Sequence, residues 1–283
     1  MYKMIVIDLD GTLLNDEKEV SKENADMINR AYKEKGVISV IATGRSYMCA
    51  EHIANIVGES FSQYIIASTG SIIRDNKNGI DLNKQCIKNE NIVKILEIAE
   101  KHNFKYIIDI KSKVIANGRL VNQEKLEKMG QAYEVREDLI CYFKNNNIHG
   151  ITITIIGKEQ ELLELKEELS VMEDLEITDL CKSIDVKEDK TKEVVSYIDI
   201  ISKGVTKQNA IKTLANYLNI NKDEIIVIGD GGNDIPMFET AGLKVAMANS
   251  IEIVKQKADY ITSNNNENGV AKAIKKFIFS EKI

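Results

Sequence analysis

The chain has no Cys-x-x-Cys pair, no excess of positive charge and no long apolar run. Each absence removes a class of protein. Cys49, Cys86, Cys141 and Cys181 are too scattered for a zinc site or a redox dithiol. Isolated thiols suit a reducing cytoplasm. A net charge of −6 and a pI near 5.4 argue against a general binder of nucleic acid or of an anionic membrane surface. The first apolar run, Met4-Ile5-Val6-Ile7, stops at Asp8. It is too short for a signal-peptide core, and no stretch is long enough to cross a bilayer. There is no internal repeat, and His52, His102 and His149 show no ligand spacing.

What remains is a chain of 283 residues, 43% hydrophobic and 29% charged, long enough for one large domain or two modest ones. Its first and last segments alternate strand and helix. Met4 to Ile7, Val37 to Ala42, Tyr64 to Ala67 and Ile225 to Ile228 are short, β-branched and nearly all apolar, as strands covered on both faces are. Ser21 and Thr206 are placed as helix N-caps, Gly36 as a helix stop, and Asp234 as the cap of a short helix carrying Pro236, the only proline. His102 is placed at a helix end. From about residue 83 the texture changes to alternating strands at hairpin spacing, with charged helices between them and Lys187 to Glu193 as a turn. The Asn-rich patches Asn145 to Asn147 and Asn264 to Asn266 read as surface loops. The expected architecture is α/β: a doubly wound parallel-sheet core over 1–82 and 202–283, interrupted by an inserted α+β unit over 83–201.

Strand-end loops in such a sheet hold the ligands. Asp8 and Asp10 leave the end of the first strand in one tight loop, with Gly11 for close approach of a ligand to the backbone and Thr12 as a cap of the turn. Crowded carboxylates repel each other unless a cation joins them. Thr43-Gly44 ends the second strand, and Gly229-Asp230-Gly231-Gly232-Asn233-Asp234 ends a later one. Lys207 falls in the first turn of a helix, where the macrodipole disfavours a cation by about 0.3–1 kcal/mol, so an anion facing it gives it a reason to be there. Each feature alone is also what an ordinary turn or a solvated lysine looks like. Together they suit phosphoryl transfer: a carboxylate nucleophile, a second carboxylate as acid and base, and a hydroxyl, an ammonium and backbone N–H groups around the equatorial oxygens.

These residues resemble the haloacid dehalogenase superfamily, and within it the Cof-type phosphatases with a large C2B-type inserted cap. The likeness rests on Asp8-Leu9-Asp10-Gly11-Thr12-Leu13-Leu14, Ala42-Thr43-Gly44-Arg45, Gly204-Val205-Thr206-Lys207 and Gly229 to Met237, with Ala246 to Ser250 and Asn268 to Ala271 in the tail. The cap is matched by size and location, not by residues. The resemblance implies that Asp8 is the nucleophile and Asp10 the general acid/base. It implies that Mg2+ is held by Asp8, the Asp10 backbone carbonyl and Asp230, with Asp234 assisting. It places Thr43, Gly44, Lys207, Asn233 and the backbone near Leu9 on the phosphoryl group, has Lys207 orient Asp8, and has the cap exclude water and choose the substrate. Three positions depart from the common pattern: Thr69-Gly70-Ser71 stands where many relatives have Asn-Gly-Ala, Ala248 replaces a glycine, and Gly232 stands at an often acidic position.

The resulting expectation is a cytoplasmic, magnesium-dependent phosphatase of a small phosphorylated metabolite (a sugar phosphate, nucleotide or phosphorylated cofactor), working through an aspartyl-phosphate as a monomer or homodimer, with no nucleic-acid or membrane partner. The alternatives are a sugar-phosphate mutase or phosphotransferase and, from another class, a phospho-aspartate switch without turnover. The double aspartate of the first loop and the long insertion argue against the switch.

Overall fold

The computed structural model describes residues 1–58, 63–118, 132–186 and 192–281. The chain runs β1 (Met4–Ile7), α1 (Lys22–Lys35), β2 (Ile38–Ala42), α2 (Tyr47–Val57), β3 (Tyr64–Ala67), β4 (Ile72–Asp75) and β5 (Ile80–Lys84). It continues with α3 (Asn89–Lys101), β6 (Lys105–Asp109), β7 (Val114–Ala116), β8 (Tyr133–Val135), α4 (Leu139–Asn146), β9 (Thr152–Gly157), α5 (Glu159–Leu169), β10 (Leu175–Ile177), β11 (Cys181–Val186) and β12 (Lys192–Ser202). The last part is α6 (Lys207–Leu218), β13 (Ile225–Gly229), α7 (Ile235–Phe238), β14 (Leu243–Ala246), α8 (Glu252–Lys257), β15 (Tyr260–Ile261) and α9 (Gly269–Ile278). Two compact units result, Met1–Lys84 with Thr206–Ile283, and Gln85–Val205.

The first unit holds an eight-stranded sheet in the order β15-β14-β13-β1-β2-β3-β4-β5. All pairings from β15 to β3 are parallel, whereas β3, β4 and β5 pair antiparallel. β1 lies in the middle and is buried along its whole length. Alternate side chains serve opposite faces: Met4 and Val6 pack with Ala210, Ile211 and Leu214 of α6 and with Met237 and Phe238 of α7. The register sets Ile7 beside Ile41 on one flank and Ile228 on the other. The carboxyl ends of β1, β2 and β13 therefore lie side by side, where crossover helices leave a doubly wound sheet open.

Ser21 caps α1 by accepting a hydrogen bond from Asn24 N, and Gly36 ends it in left-handed conformation. Thr206 caps α6 through Asn209 N. Ser46 does the same for α2 through Cys49 N. His102 closes α3. Asn145 and Asn146 belong to α4, and Asn147 is its left-handed cap rather than part of a loop.

In the second unit β10, β12, β9, β6, β7 and β8 form one sheet, with β11 also paired to β12. Every pair is antiparallel except β7 with β8. One face is covered by helices: Ile92, Ile95 and Leu96 of α3, Phe143 of α4 and Leu162 and Leu165 of α5 pack with Tyr106, Ile108, Ile153, Ile155, Ile198 and Ile200 of the strands. Of the turn expected over Lys187 to Glu193, residues 187–191 lie outside the described residues. No helix among the described residues is long and apolar enough to cross a membrane.

Candidate active site

The carboxyl ends of β1 and β13 and the first turn of α6 bring Asp8, Asp230, Asp234 and Lys207 into one pocket. Asp8 follows β1 directly, and its amide donates to the carbonyl of Ile228 at 3.1 Å. Lys207 Nζ lies 2.6 Å from Asp8 Oδ1 and 2.8 Å from Asp234 Oδ1, with all three side chains buried. The other Asp234 oxygen accepts the amides of Asp230 and Gly231, each at 3.1 Å. Asp234 thus closes the loop that carries Asp230. It does not cap α7 with its side chain, contrary to expectation, because both of its oxygens are already engaged. Thr12 likewise spends its hydroxyl on Asp230 Oδ1, at 2.7 Å, rather than on its own turn.

Burial dominates the Asp8 carboxyl and pushes its pKa up to about 7. The Lys207 ammonium pulls the other way, and Asp234 and Asp230 add to the rise. Burial raises Asp230 as well, against the hydrogen bond from Thr12. Lys207 is held protonated: burial opposes its charge, but Asp8 and Asp234 outweigh it. The pocket therefore crowds three carboxylates around a single ammonium, an arrangement that favours a further cation.

Asp10 stands apart from this group. Arg45 holds its carboxylate through Nε and Nη2 at 2.7 and 2.6 Å, and Lys18 Nζ adds a contact at 2.9 Å. Burial works to raise the Asp10 pKa, but the two cations prevail and bring it down to about 2. Lys18 reaches Asp10 because the chain after it folds back on itself, with bridges from Asp10 to Leu14 and from Leu14 to Val20.

Thr43 is buried at the end of β2, and its Oγ1 accepts the amide of Arg45 at 3.1 Å. Gly44 follows it on the same loop. Leu9 is fully buried, and its carbonyl accepts the amides of Thr12 and Leu14 at 3.3 and 2.9 Å. Asn233 is exposed on the loop after β13. Gly11 is needed by the protein itself rather than by a ligand. It has φ of 76°, and a Cβ there would lie 2.8 Å from Asp230 Cγ.

Several contacts around the site carried no assigned role in the sequence. Arg45 and Lys18 on Asp10, and the Thr12 hydroxyl on Asp230, are the nearest to the chemistry. Asn264 to Asn266 is not a plain surface loop. Asn265 is buried, and its Nδ2 donates to Leu14 O at 3.0 Å and to Asp16 Oδ1 at 3.2 Å. Its amide donates to Asn249 Oδ1, and Asn249 Nδ2 in turn holds Gly11 O at 2.8 Å. These amides pin the loop that follows Asp10. Asn249, directly after the apolar Val245 to Ala248, carries a sequence signal; Asn265, in a polar stretch, carries none.

Asp8, Asp230 and Asp234 each offer a carboxylate oxygen within 4.8 Å of the others. An all-oxygen donor set in which burial raises the pKa of Asp8 and of Asp230 fits a hard divalent cation such as Mg2+. The Asp10 side chain is not part of this group.

A family model described as haloacid dehalogenase-like hydrolase matches residues 5–274. Among curated proteins, the chain is similar to 5-amino-6-(5-phospho-D-ribitylamino)uracil phosphatase YcsE of Bacillus subtilis, 31% identical with 98% of this chain and 96% of that protein covered. It is also similar to phosphatase YwpJ of Bacillus subtilis, 29% identical with 96% and 99% covered. Among solved structures, it is similar to a haloacid dehalogenase-like hydrolase from Bacteroides thetaiotaomicron, with a TM-score of 0.81, 27% identity and 98% and 99% coverage. A protein from Thermotoga maritima superposes with a TM-score of 0.80 at 29% identity, covering 98% of each chain.

Proposed function

The chain belongs to the haloacid dehalogenase-like hydrolases, and from that premise we propose that it is a magnesium-dependent phosphatase of small phosphate monoesters, working through an aspartyl-phosphate on Asp8. The observation that carries this reading is the Asp8–Lys207–Asp234 ion cluster beside Asp230. Lys207 fixes one Asp8 oxygen, which leaves the other as the nucleophile. Asp8 attacks phosphorus, and Asp8 carries the phosphoryl group once the ester oxygen departs with a proton from Asp10, which takes that proton up from solvent when the Arg45 and Lys18 contacts loosen. Asp10, now ionised, takes a proton from a water molecule, which attacks phosphorus and frees both phosphate and Asp8. Asp8, the Asp10 carbonyl and Asp230, with Asp234 behind them, would hold Mg2+, which would supply charge neutralisation for the dianionic ester. In this reading Thr43, Lys207, Asn233 and the amides of Leu9 and Gly44 take the equatorial oxygens.

The relatives named for phosphatase activity support the reaction class. Substrate choice is assigned to the inserted unit, and four scattered cysteines fit a cytoplasmic substrate pool. The test is phosphate release from a panel of phosphorylated metabolites, with and without Mg2+, for the wild type and for Asp8→Asn. Turnover that needs Mg2+ and vanishes in Asp8→Asn is the expected result. Turnover unchanged by exhaustive chelation, or retained in Asp8→Asn, would overturn the reading. Isomerisation of a hexose phosphate without phosphate release would redirect it to a mutase.

A further inference from the structure

The turn after β3 is strained, and no role assigned so far accounts for it. Ser68 and Thr69 have φ of 49° and 60°, and Gly70 follows at 112°. Two residues with a Cβ in succession in the left-handed region are rare, and a β-branched one there is an outlier. Such backbone persists where its surroundings over-determine it, and it clusters at functional sites. The surroundings here are parts of the phosphate site. Ser68 N donates to Arg45 O at 2.8 Å and Thr69 N to Thr43 O at 3.1 Å. On the other side Gly70 lies against the start of α6: a Cβ there would fall 2.7 Å from the Thr206 carbonyl carbon and 3.1 Å from Lys207 N. The buried hydroxyls of Ser68 and Ser71 have no hydrogen-bond partner, so they do not shape the turn. It is wedged between the Thr43–Arg45 loop and the backbone of Lys207.

Within Ser68 to Ser71 only Thr69 escapes burial. Its Oγ1 lies 3.7 Å from where a Cβ on Gly44 would be, and no other atom from outside the Gly44 loop comes within 4 Å of that point. The missing Gly44 side chain thus leaves the Thr69 hydroxyl facing the open side of the phosphate loop. Resting on the phosphatase reading, we propose that Thr69 Oγ1 is a further substrate-binding group, donating a hydrogen bond to the phosphate ester beside Gly44. The left-handed backbone holds it there: the amides of Ser68 and Thr69 reach back to Arg45 and Thr43 while the side chain stands on the Gly44 side.

The full chain is tested as Thr69→Val, which keeps the shape and removes the hydroxyl, and as Thr69→Ser, which restores it. With an ester the wild type hydrolyses, Thr69→Val raises KM roughly tenfold, the loss expected for one hydrogen bond to a charged group, with kcat within about twofold. Thr69→Ser returns KM to the wild-type value. An unchanged KM in Thr69→Val, or a Thr69→Ser as impaired as Thr69→Val, overturns the assignment while the phosphatase reading stands. Calorimetry with inorganic phosphate and Mg2+ decides the contact without turnover. Weaker binding by Thr69→Val and recovery in Thr69→Ser support it; equal binding by all three proteins overturns it. A wild type that hydrolyses no ester brings down the phosphatase reading alone, and the calorimetric outcome still judges Thr69.

Discussion

Arg45 grips Asp10 with both prongs of its guanidinium, Nε on one carboxylate oxygen at 2.7 Å and Nη2 on the other at 2.6 Å. A fork of this kind fixes the direction of a carboxylate as well as its charge. The residue expected to pass protons is therefore held in its ionised form, the form that accepts a proton from water. Donating one to a leaving group requires the grip to loosen.

Replacing Arg45 tests this. Asp10 is ionised at neutral pH with Arg45 in place, and Lys18 stays beside it when Arg45 is lost, so the damage expected is to position and not to charge. Arg45→Gln lowers kcat by roughly 10- to 100-fold, the scale of a small misplacement of a catalytic group, and leaves the pH profile between 6 and 8 unmoved. Arg45→Lys keeps the charge without the fork and falls between the two. A profile that shifts bodily toward neutral pH would instead mean that Arg45 acts by tuning protonation. The folded-state pKa lies below its unfolded value, so any stability from the pair exists above about pH 4 and is lost as pH falls through about 2. Asp10 is 43% exposed on its side chain, so that contribution stays under about 1 kcal/mol.

How far the site could be read from sequence depends on what each contact needs. β1, β2 and β13 are short apolar runs, and their parallel register alone brings Asp8, Thr43 and Asp230 to one end of the sheet. Periodicity suffices for that. The β4–β5 hairpin that extends the same sheet is not legible in the sequence, because an edge strand such as Ile80–Lys84 is only half buried and shows no continuous apolar run. Lys18 on Asp10 and Asn265 under Leu14 depend on how a loop closes, and no residue spacing encodes that. Asp234 looked like a helix cap because Asp before a Pro-containing turn is capping chemistry. Only the folded loop shows that Lys207 and two amides claim it first.

Asp8 should make the metal-free protein less stable as pH rises. Its folded-state pKa of about 7 lies above the unfolded value of 3.8, so the folded state binds the extra proton between those limits. Stability from this group is greatest at the acid end and falls as pH climbs through 7. Asp8→Asn removes the penalty and unfolds later than the wild type at pH 8, with a smaller difference at pH 5 that closes below about pH 4. Mg2+ acts on the same carboxylate and gives a larger thermal shift at pH 8 than at pH 5, about 2.7 kcal/mol when present at a hundred times its Kd. Thermal unfolding with and without the ion, at both pH values, checks the sign. A shift of equal size in Asp8→Asn would remove Asp8 from the ion's ligands.

Gly11→Ala should uncouple Asp230 from the site. The φ of 76° and the closeness of Asp230 Cγ leave no room for a methyl group, so either the loop or the carboxylate moves. The expected cost is about 1–3 kcal/mol in stability, from strain in the left-handed region. A weakened Mg2+ thermal shift accompanies it, because Asp230 loses both its place and the hydrogen bond from Thr12. A variant with lowered stability but an undiminished Mg2+ response would show that Asp230 does not contribute to the ion.

Lys207 is the hardest member of the site to replace, because Asp8 and Asp234 both depend on it. Lys207→Met keeps the bulk of the stem and leaves two buried carboxylates without their cation. Breaking a buried pair in this way costs about 3–5 kcal/mol. The loss should be worst at high pH and ease on acidification, since protonation is then the only relief left to the carboxyls. Adding Asp8→Asn to Lys207→Met removes one of the stranded charges and recovers part of the stability but none of the turnover. The coupling between the two substitutions should exceed about 1 kcal/mol, as it does for groups in one network. A double-mutant cycle by chemical denaturation measures it directly. Additive losses would mean that Lys207 supports the fold through its packing alone, and that the ammonium seen between two aspartates does not set their charge.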